Sequence, residues 1–301
     1  MDHGARVNAR ESPTAPILNV RSKYVPPSTS RTFEGSTPEN LQPGQEPEQL
    51  SSGLLTALML AAREDDIESA RALVKAGAEL NLRGADGKDA LGLALFHGSY
   101  DIAELLIESH ADVNQADSMG FTPLFWAVDR RNMETAPNFP WTVTSDPMFL
   151  IRKLLDAGAN PNAIVNNTPK SRMREGSPRI LFATALMRAV FSADLEVVDL
   201  LLQRGADPKI NSSDLETNVA AAAGLGFIRG YHKLRPMPDR LKVLQMIVEK
   251  TGNVNYADNN RITPLMAAAN LGDVSIIKFL IDQGANLGAH NLGKENDGQF
   301  D

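Results

Sequence analysis

The chain has 301 residues, of which 43% are hydrophobic and 6% aromatic, none is cysteine, and its formal net charge is −7. This length and apolar content allow a large core, which alanine and leucine must fill because aromatic residues are scarce. The acidic balance argues against general nucleic-acid binding, which depends on clustered Lys and Arg. The lack of cysteine excludes disulfides and thiolate chemistry and assigns no compartment.

Two segments of different character precede the first periodic element. Residues 1–10 contain the phrase Gly-Ala-Arg-Val-Asn from Gly4 to Asn8. Two interpretations are open: the end of a truncated repeat in a fragment of a longer protein, or a coincidence in a tail. Residues 11–52 are rich in Pro, Ser, Thr, Glu and Gln and bury too little apolar area to offset chain entropy. We expect a flexible segment there, or an over-long hairpin leading into the first complete repeat.

From residue 53 onward one pattern returns six times: a short polar residue, an Ala/Leu run, a leucine-rich run and a Gly-Ala-Asn close. The distances from Thr56 to Asp89 and from Asp89 to Thr122 are both 33 residues. Because Thr and Asp side chains cap helix amides and Gly tolerates a left-handed cap, each copy predicts two helices. His110 replaces the glycine once, which predicts a strained cap. The later copies open at Thr184, Asn218 and Thr263.

The clearest copy runs Thr-Pro-Leu-Met-Ala-Ala at residues 263–268, continues with Ile276 to Leu280 and closes with Gly-Ala-Asn at 284–286. This pattern, with its period of 33, resembles the ankyrin repeat family. The resemblance implies an all-α solenoid of six helix–turn–helix units with hairpin-like loops over residues 53–290. Residues 291–301 then form a tail that leads into a further truncated repeat.

Three copies are interrupted by insertions at residues 132–147, 163–182 and 228–239. In repeat proteins such insertions lie in loops on one face, often the binding face. The last two insertions are basic, and two interpretations are open: solvated loops or contacts with an anion or acidic partner. Their basic residues are Lys170, Arg172, Arg174, Arg179, Arg229, His232, Lys233, Arg235 and the adjacent Arg240.

No motif in the sequence predicts catalysis. The five histidines lack partners at zinc-site spacing, so we expect no metal ligands and no cofactor. The Gly-rich run at 224–230 follows a predicted helix instead of a strand, which is the wrong context for a dinucleotide site. We therefore expect no enzymatic activity and no catalytic residues. The apolar runs are too short to span a bilayer, so we expect no direct membrane insertion.

The resemblance to ankyrin repeats implies a concave surface built from the exposed side of each first helix. We predict that Phe96, Trp126 and Phe191 form an exposed apolar patch there, of the kind that supplies binding hot spots. The alternative is that the inserted loops, including residues 138–141, bury these rings in a local core. The predicted partner-binding residues are Phe96, His97, Trp126, Asp129, Arg130, Arg188, Phe191 and Leu225.

The function implied by the resemblance is a non-catalytic scaffold that binds another protein or a neighbouring domain of its parent chain. One alternative is a regulatory array of a larger enzyme or membrane-attached protein. Another is small-ligand binding between the inserted loops and the concave face. By default we expect the protein in the cytoplasm. If an upstream signal exists, we expect a periplasmic or secreted protein instead.

Overall fold

The computed structural model describes Asn8 and residues 54–133, 146–165, 183–212, 217–226 and 235–292. Within these ranges it contains twelve α-helices, arranged as six consecutive pairs. The first helices of the pairs are α1 (Ala57–Arg63), α3 (Ala90–His97), α5 (Pro123–Asn132), α7 (Ala185–Phe191), α9 (Asn218–Ala222) and α11 (Pro264–Leu271). The second helices are α2 (Ile67–Lys75), α4 (Tyr100–Glu108), α6 (Met148–Asp156), α8 (Leu195–Gln203), α10 (Met237–Thr251) and α12 (Val274–Asp282).

Each first helix begins at a side-chain cap, as the sequence pattern predicts. Thr122 accepts a hydrogen bond from the Phe125 amide at 3.3 Å, and Pro123 follows it at a position that needs no amide partner. In the fifth repeat the capping residue is Thr217, which accepts from the Ala220 amide at 3.1 Å. Asn218 was expected to open that repeat, and it is instead the first helical residue.

The second helices end in left-handed backbone conformations. Gly158 and Gly205 have φ values of 89° and 87°, which cost a glycine no steric strain. His110 takes the same left-handed conformation with φ of 65°. This conformation is strained for a residue other than glycine, so the predicted strained cap is confirmed.

The core is continuous along the array. Each first helix packs on the first helix of the next repeat, and the second helices form a parallel outer row. Leu91, Leu124 and Leu186, which lie in three successive first helices of this core, are buried. The predicted all-α solenoid of six helix pairs is therefore confirmed.

Asparagine side chains link the closing turns of successive repeats. In four repeats an asparagine Oδ1 accepts the main-chain amide of a residue in the next repeat, and we call these residues the asparagine ladder. The bonds are Asp112 to Asn81 at 2.9 Å, and Asn160 to Asn114, Asp207 to Asn162 and Asn286 to Asn255 at 2.7 Å. Lys209 occupies the ladder position of the fourth repeat and, among the described residues, makes no such bond. The ladder is therefore interrupted between the fourth and fifth repeats.

The Pro-rich segment 11–52 and most residues of the three insertions lie outside the described ranges. The insertion predicted at 228–239 ends in helix, because α10 already begins at Met237. No helix in the described part of the chain is both long enough and apolar enough to cross a bilayer.

Candidate partner-binding surface

The structure contradicts the predicted exposed aromatic patch. Trp126 is 6% exposed and Phe191 is fully buried, so two of the three rings belong to the core. Three charged residues predicted to face a partner are buried as well, namely Asp129, Arg130 and Arg188. Of the eight predicted residues, only Phe96, His97 and Leu225 are partly exposed.

Trp126 is buried because aromatic rings from two neighbouring segments surround it. The Phe96 ring lies edge-on at a centroid distance of 5.0 Å, and the Phe121 ring is tilted against it at 4.6 Å. Edge-to-face pairs of this kind add stability beyond the apolar area that they bury. The second and third repeats thus close this part of the concave face with their own side chains.

A buried lysine completes the aromatic cluster. The Lys88 Nζ lies 5.1 Å from the Phe96 ring centroid and 5.6 Å from that of Trp126, within the range of cation–π attraction. It also lies 2.9 Å from an Asp86 carboxylate oxygen and 3.5 Å from one of Asp117. Burial raises the pKa of Asp117, and the Lys88 charge opposes that shift. Sequence reasoning missed Lys88, whose only signal is its place beside the Asp89 cap.

His97 lies at the partly exposed end of this cluster, with its ring 5.1 Å from that of Phe96. Burial, together with the positive charges of Arg63 and Arg130, lowers the pKa of His97 to about 4. The imidazole is therefore neutral at physiological pH, which makes it a hydrogen-bonding and apolar contact instead of a cation.

Phe191 is covered by the fifth repeat. A Cβ on Gly226 would lie 2.8 Å from Phe191 Cε1, so the glycine permits this close approach. Arg240 Nη2 donates to the Phe191 carbonyl at 3.2 Å, and burial lowers the pKa of Arg240 to about 10. Arg188 is also fully buried and donates through Nε to Asp129 at 2.5 Å. Two of the charged residues predicted to contact a partner thus contact each other.

A network of ion pairs joins the third, fourth and fifth repeats. Asp194 is fully buried and accepts from Arg131 Nε at 2.8 Å and Arg235 Nη2 at 2.7 Å. Arg131 also pairs with Glu196 at 2.8 Å and with Asp146. The basic insertion was interpreted either as a solvated loop or as a contact with an anion or acidic partner. Both interpretations are wrong for Arg235 and for the buried Arg240, because these side chains hold neighbouring repeats together.

The concave face stays open at the fifth and sixth repeats. A groove of about 600 Å³ lies between the first helices and the closing turns of this region. Its helix side carries Leu225, Met266 and Asn270, and the predicted residue Leu225 is part of it. The remaining lining residues are Gly224, Gly226, Ile262, Ala267, Ala289, His290 and Asn291. The less exposed lining residues form an apolar floor, and the exposed Asn270, His290 and Asn291 form a polar rim.

The described residues hold no cluster of three or more His, Asp or Glu side chains that could bind a metal ion. Of the predicted site residues, the structure brings Phe96, His97 and Trp126 together in one cluster. Asp129 and Arg188 meet in a second cluster, and Leu225 lies in the open groove.

Known proteins with similar sequences or folds are of several kinds. Over 87 residues the chain is 34% identical to serine/threonine-protein kinase 12 of Arabidopsis thaliana, covering 29% of this chain and 18% of the kinase. The chain thus spans less than a fifth of that relative. An ankyrin repeat domain from Acinetobacter baumannii AYE superposes with a TM-score of 0.57 at 24% identity, covering 76% of this chain and 98% of the domain.

A second similar structure comes from Bdellovibrio bacteriovorus, in the complex of the predatory endopeptidase Bd0816 with the immunity protein Bd3460. It superposes with a TM-score of 0.54 at 20% identity, covering 75% of this chain and 97% of that chain. At these identities the two structures support the fold alone.

Two ankyrin repeat profiles match the chain on either side of its insertions. The profile of three consecutive ankyrin repeats matches residues 39–117 and 58–137. The single ankyrin repeat profile matches residues 183–214 and 260–292. The matched regions contain α1 to α5, α7, α8, α11 and α12, and the chain belongs to the ankyrin repeat family.

Proposed function

We propose that this chain is a non-catalytic binding module that recognises another protein, or a neighbouring domain, through the groove at the fifth and sixth repeats. Ankyrin repeats are in general protein–protein interaction modules, which supports the class of function. The groove supports this location, because the described concave face is open there and is filled by side chains at the third and fourth repeats.

The lining of the groove suits an extended peptide that carries one large apolar side chain. Leu225, Ile262 and Met266 supply the apolar floor, and methionine adapts readily to the shape of a partner. Asn270 and Asn291 stand at the polar rim, where their amides can pair with peptide groups. An apolar centre with a polar rim is typical of protein interfaces.

The buried residues of the second to fourth repeats have a supporting role in this proposal. Trp126 and Arg188 fix the first helices in place, and Gly226 rests on Phe191 at one edge of the groove. Phe96 and His97 are partly exposed on the second repeat and remain predicted contacts for a longer partner.

Two observations on similar proteins bear on the kind of partner. One similar structure belongs to a complex of an endopeptidase with an immunity protein, which is consistent with a protein partner. The Arabidopsis relative is a kinase, and a regulatory array linked to a catalytic domain is a second form of the same proposal. In both forms the repeats bind and do not catalyse.

A peptide-display selection against the whole chain tests the groove. Met266→Glu places a charge on the groove floor, and Leu287→Glu is a matched control because Leu287 is 71% exposed and lies outside the lining. We expect selected peptides to lose about 30-fold in affinity on Met266→Glu, corresponding to about 2 kcal/mol, and to bind the control normally. Thermal melts verify that both variants fold. Peptides that bind Met266→Glu as well as the parent chain would place the site elsewhere.

A further inference from the structure

Asn8 makes two hydrogen bonds to a residue 71 positions further along the chain. The Glu79 main-chain amide donates to Asn8 Oδ1 at 2.9 Å, and Asn8 Nδ2 donates to Glu79 Oε1 at 2.9 Å. Glu79 belongs to the closing turn of the first complete repeat. Asn8 therefore contacts the exposed edge at which the array begins.

This contact has the geometry of the asparagine ladder. In the ladder, the asparagine Oδ1 accepts a hydrogen bond from a main-chain amide of the next repeat. The donor is the second residue after the closing glycine. For example, Asp207, two residues after Gly205, donates to Asn162. Glu79 is likewise the second residue after the closing Gly77, and its amide donates to Asn8 Oδ1. The sequence also has an asparagine at the expected position, because Gly-Ala-Arg-Val-Asn at residues 4–8 matches Gly-Ala-Glu-Leu-Asn at residues 77–81.

The large number of residues between Asn8 and the first helix cap is compatible with a ladder position for Asn8. In the uninterrupted copies the asparagine precedes the next helix cap by eight residues, as Asn81 precedes Asp89. Asn162 is followed by an insertion before the cap at Thr184, and it keeps its bonds to Asp207 and Gly205. The same molecule thus shows that a ladder asparagine functions in front of a lengthened hairpin.

We propose that Asn8 is a further ladder residue, which docks on the first complete repeat of the same chain. The surface is the edge of that repeat around Glu79, and the partner that fits it is a segment ending in Asn at the ladder position. This proposal is independent of the proposed function.

One bond is particular to this end of the array. Asn162 Nδ2 donates to the Gly205 carbonyl, whereas Asn8 Nδ2 donates to the carboxylate of Glu79. A change from Asn8 to aspartate keeps the acceptor for the Glu79 amide and places two carboxylates against each other. Glu79→Gln removes that repulsion and restores a donor. The pair therefore allows loss and rescue to be tested at one contact.

Amide hydrogen exchange at Glu79 in the full chain measures docking. Asn8→Ala and Asn8→Asp should each raise the exchange rate of this amide roughly tenfold, and the double variant Asn8→Asp with Glu79→Gln should restore protection. Asn114→Ala is the matched internal control, and it should raise exchange at Asn160, which binds Asn114 at 2.7 Å, without affecting Glu79. Global stability is followed in parallel by urea unfolding.

Two results would overturn the proposal. Exchange at Glu79 that is unchanged in Asn8→Ala, while Asn160 responds to Asn114→Ala, would show that Asn8 does not dock in solution. Protection of Glu79 that rises with protein concentration, together with a dimer in light scattering, would show docking between two copies instead of within one.

Discussion

The concave face is filled at the third and fourth repeats and open at the fifth and sixth, although both regions have the same helix register. All seven residues of α7 are buried, whereas α11 buries only Pro264, Ala267 and Ala268. The register thus determines the direction in which a side chain points. Whether that side chain is exposed depends on what the neighbouring repeats place opposite it.

Side-chain size explains the difference between the two regions. In the filled region Trp126, Arg188 and Phe191 are large enough to reach contacts on a neighbouring repeat. The fifth repeat instead has an alanine run, 220–223, followed by two glycines with positive φ. Small residues leave space among the described residues of this face, so the groove is a consequence of composition at this repeat.

Trp126→Ala is the largest test of this comparison. Trp126 is 6% exposed and packs on Phe96 and Phe121, so its loss should lower the free energy of unfolding by about 3–5 kcal/mol. Met266→Ala, in the open groove, should cost only about 1 kcal/mol because that side chain already contacts solvent. Urea unfolding of both variants measures the difference. Equal losses would mean that the two regions are packed alike.

Much of the fold could be predicted from the sequence, because its signals are local. Thr122 with Pro123 opens a helix and Gly158 closes one whatever surrounds them. The burial of Phe191 could not be predicted in this way. It depends on Gly226 and Arg240, which lie beyond an insertion and are brought to Phe191 only by the folded array.

The candidate site shows the same limit. Leu225 was predicted from register alone and lies in the open groove, while Asp129 and Arg188 were predicted with the same argument and form a buried pair. An ion pair between adjacent repeats is not predicted by a motif within either repeat's own sequence. Pairing of this kind needs the distance between the two side chains, which only the structure provides.

Asp194→Ala tests whether ion pairs hold the filled region together. It removes the shared partner of Arg131 and Arg235 and leaves both guanidinium groups partly desolvated, so we expect a loss of about 3 kcal/mol. Glu196→Ala is the matched control, because Glu196 also binds Arg131 but is 52% exposed, and it should cost less than about 1 kcal/mol. Chemical denaturation compares the two. A small loss for Asp194→Ala would assign the filling to apolar packing alone.

We expect His97 to make the aromatic cluster of Phe96 and Trp126 sensitive to acid. Its pKa is lowered from 6.5 to about 4 in the folded state, so the unfolded chain takes up the proton first as the pH falls. The stabilisation is complete above pH 6.5 and is lost as the pH falls toward 4, by about 2 kcal/mol after allowance for partial exposure.

The difference in stability between the parent chain and His97→Gln, measured from pH 7 to 4, isolates this effect. It removes the contributions of other groups, such as Asp89, whose pKa burial raises to about 6. His110→Gln is the control because His110 is exposed. A His97→Gln curve parallel to that of the parent chain would show that the imidazole titrates as it does in water.

Lys209→Asn is the smallest and most local test, because it acts on the joint between the filled and open regions. Lys209 stands at the ladder position and shares a small cavity of about 180 Å³ with Pro208, Asn253 and Tyr256. An asparagine there should accept the Asn253 amide as Asn162 accepts that of Asp207, and one such bond contributes about 1 kcal/mol. Exchange of the Asn253 amide should slow, and the urea midpoint should rise slightly. Lys209→Ala removes the lysine without adding an acceptor, so an equal gain in that variant would attribute the effect to the lost charge and not to a repaired ladder.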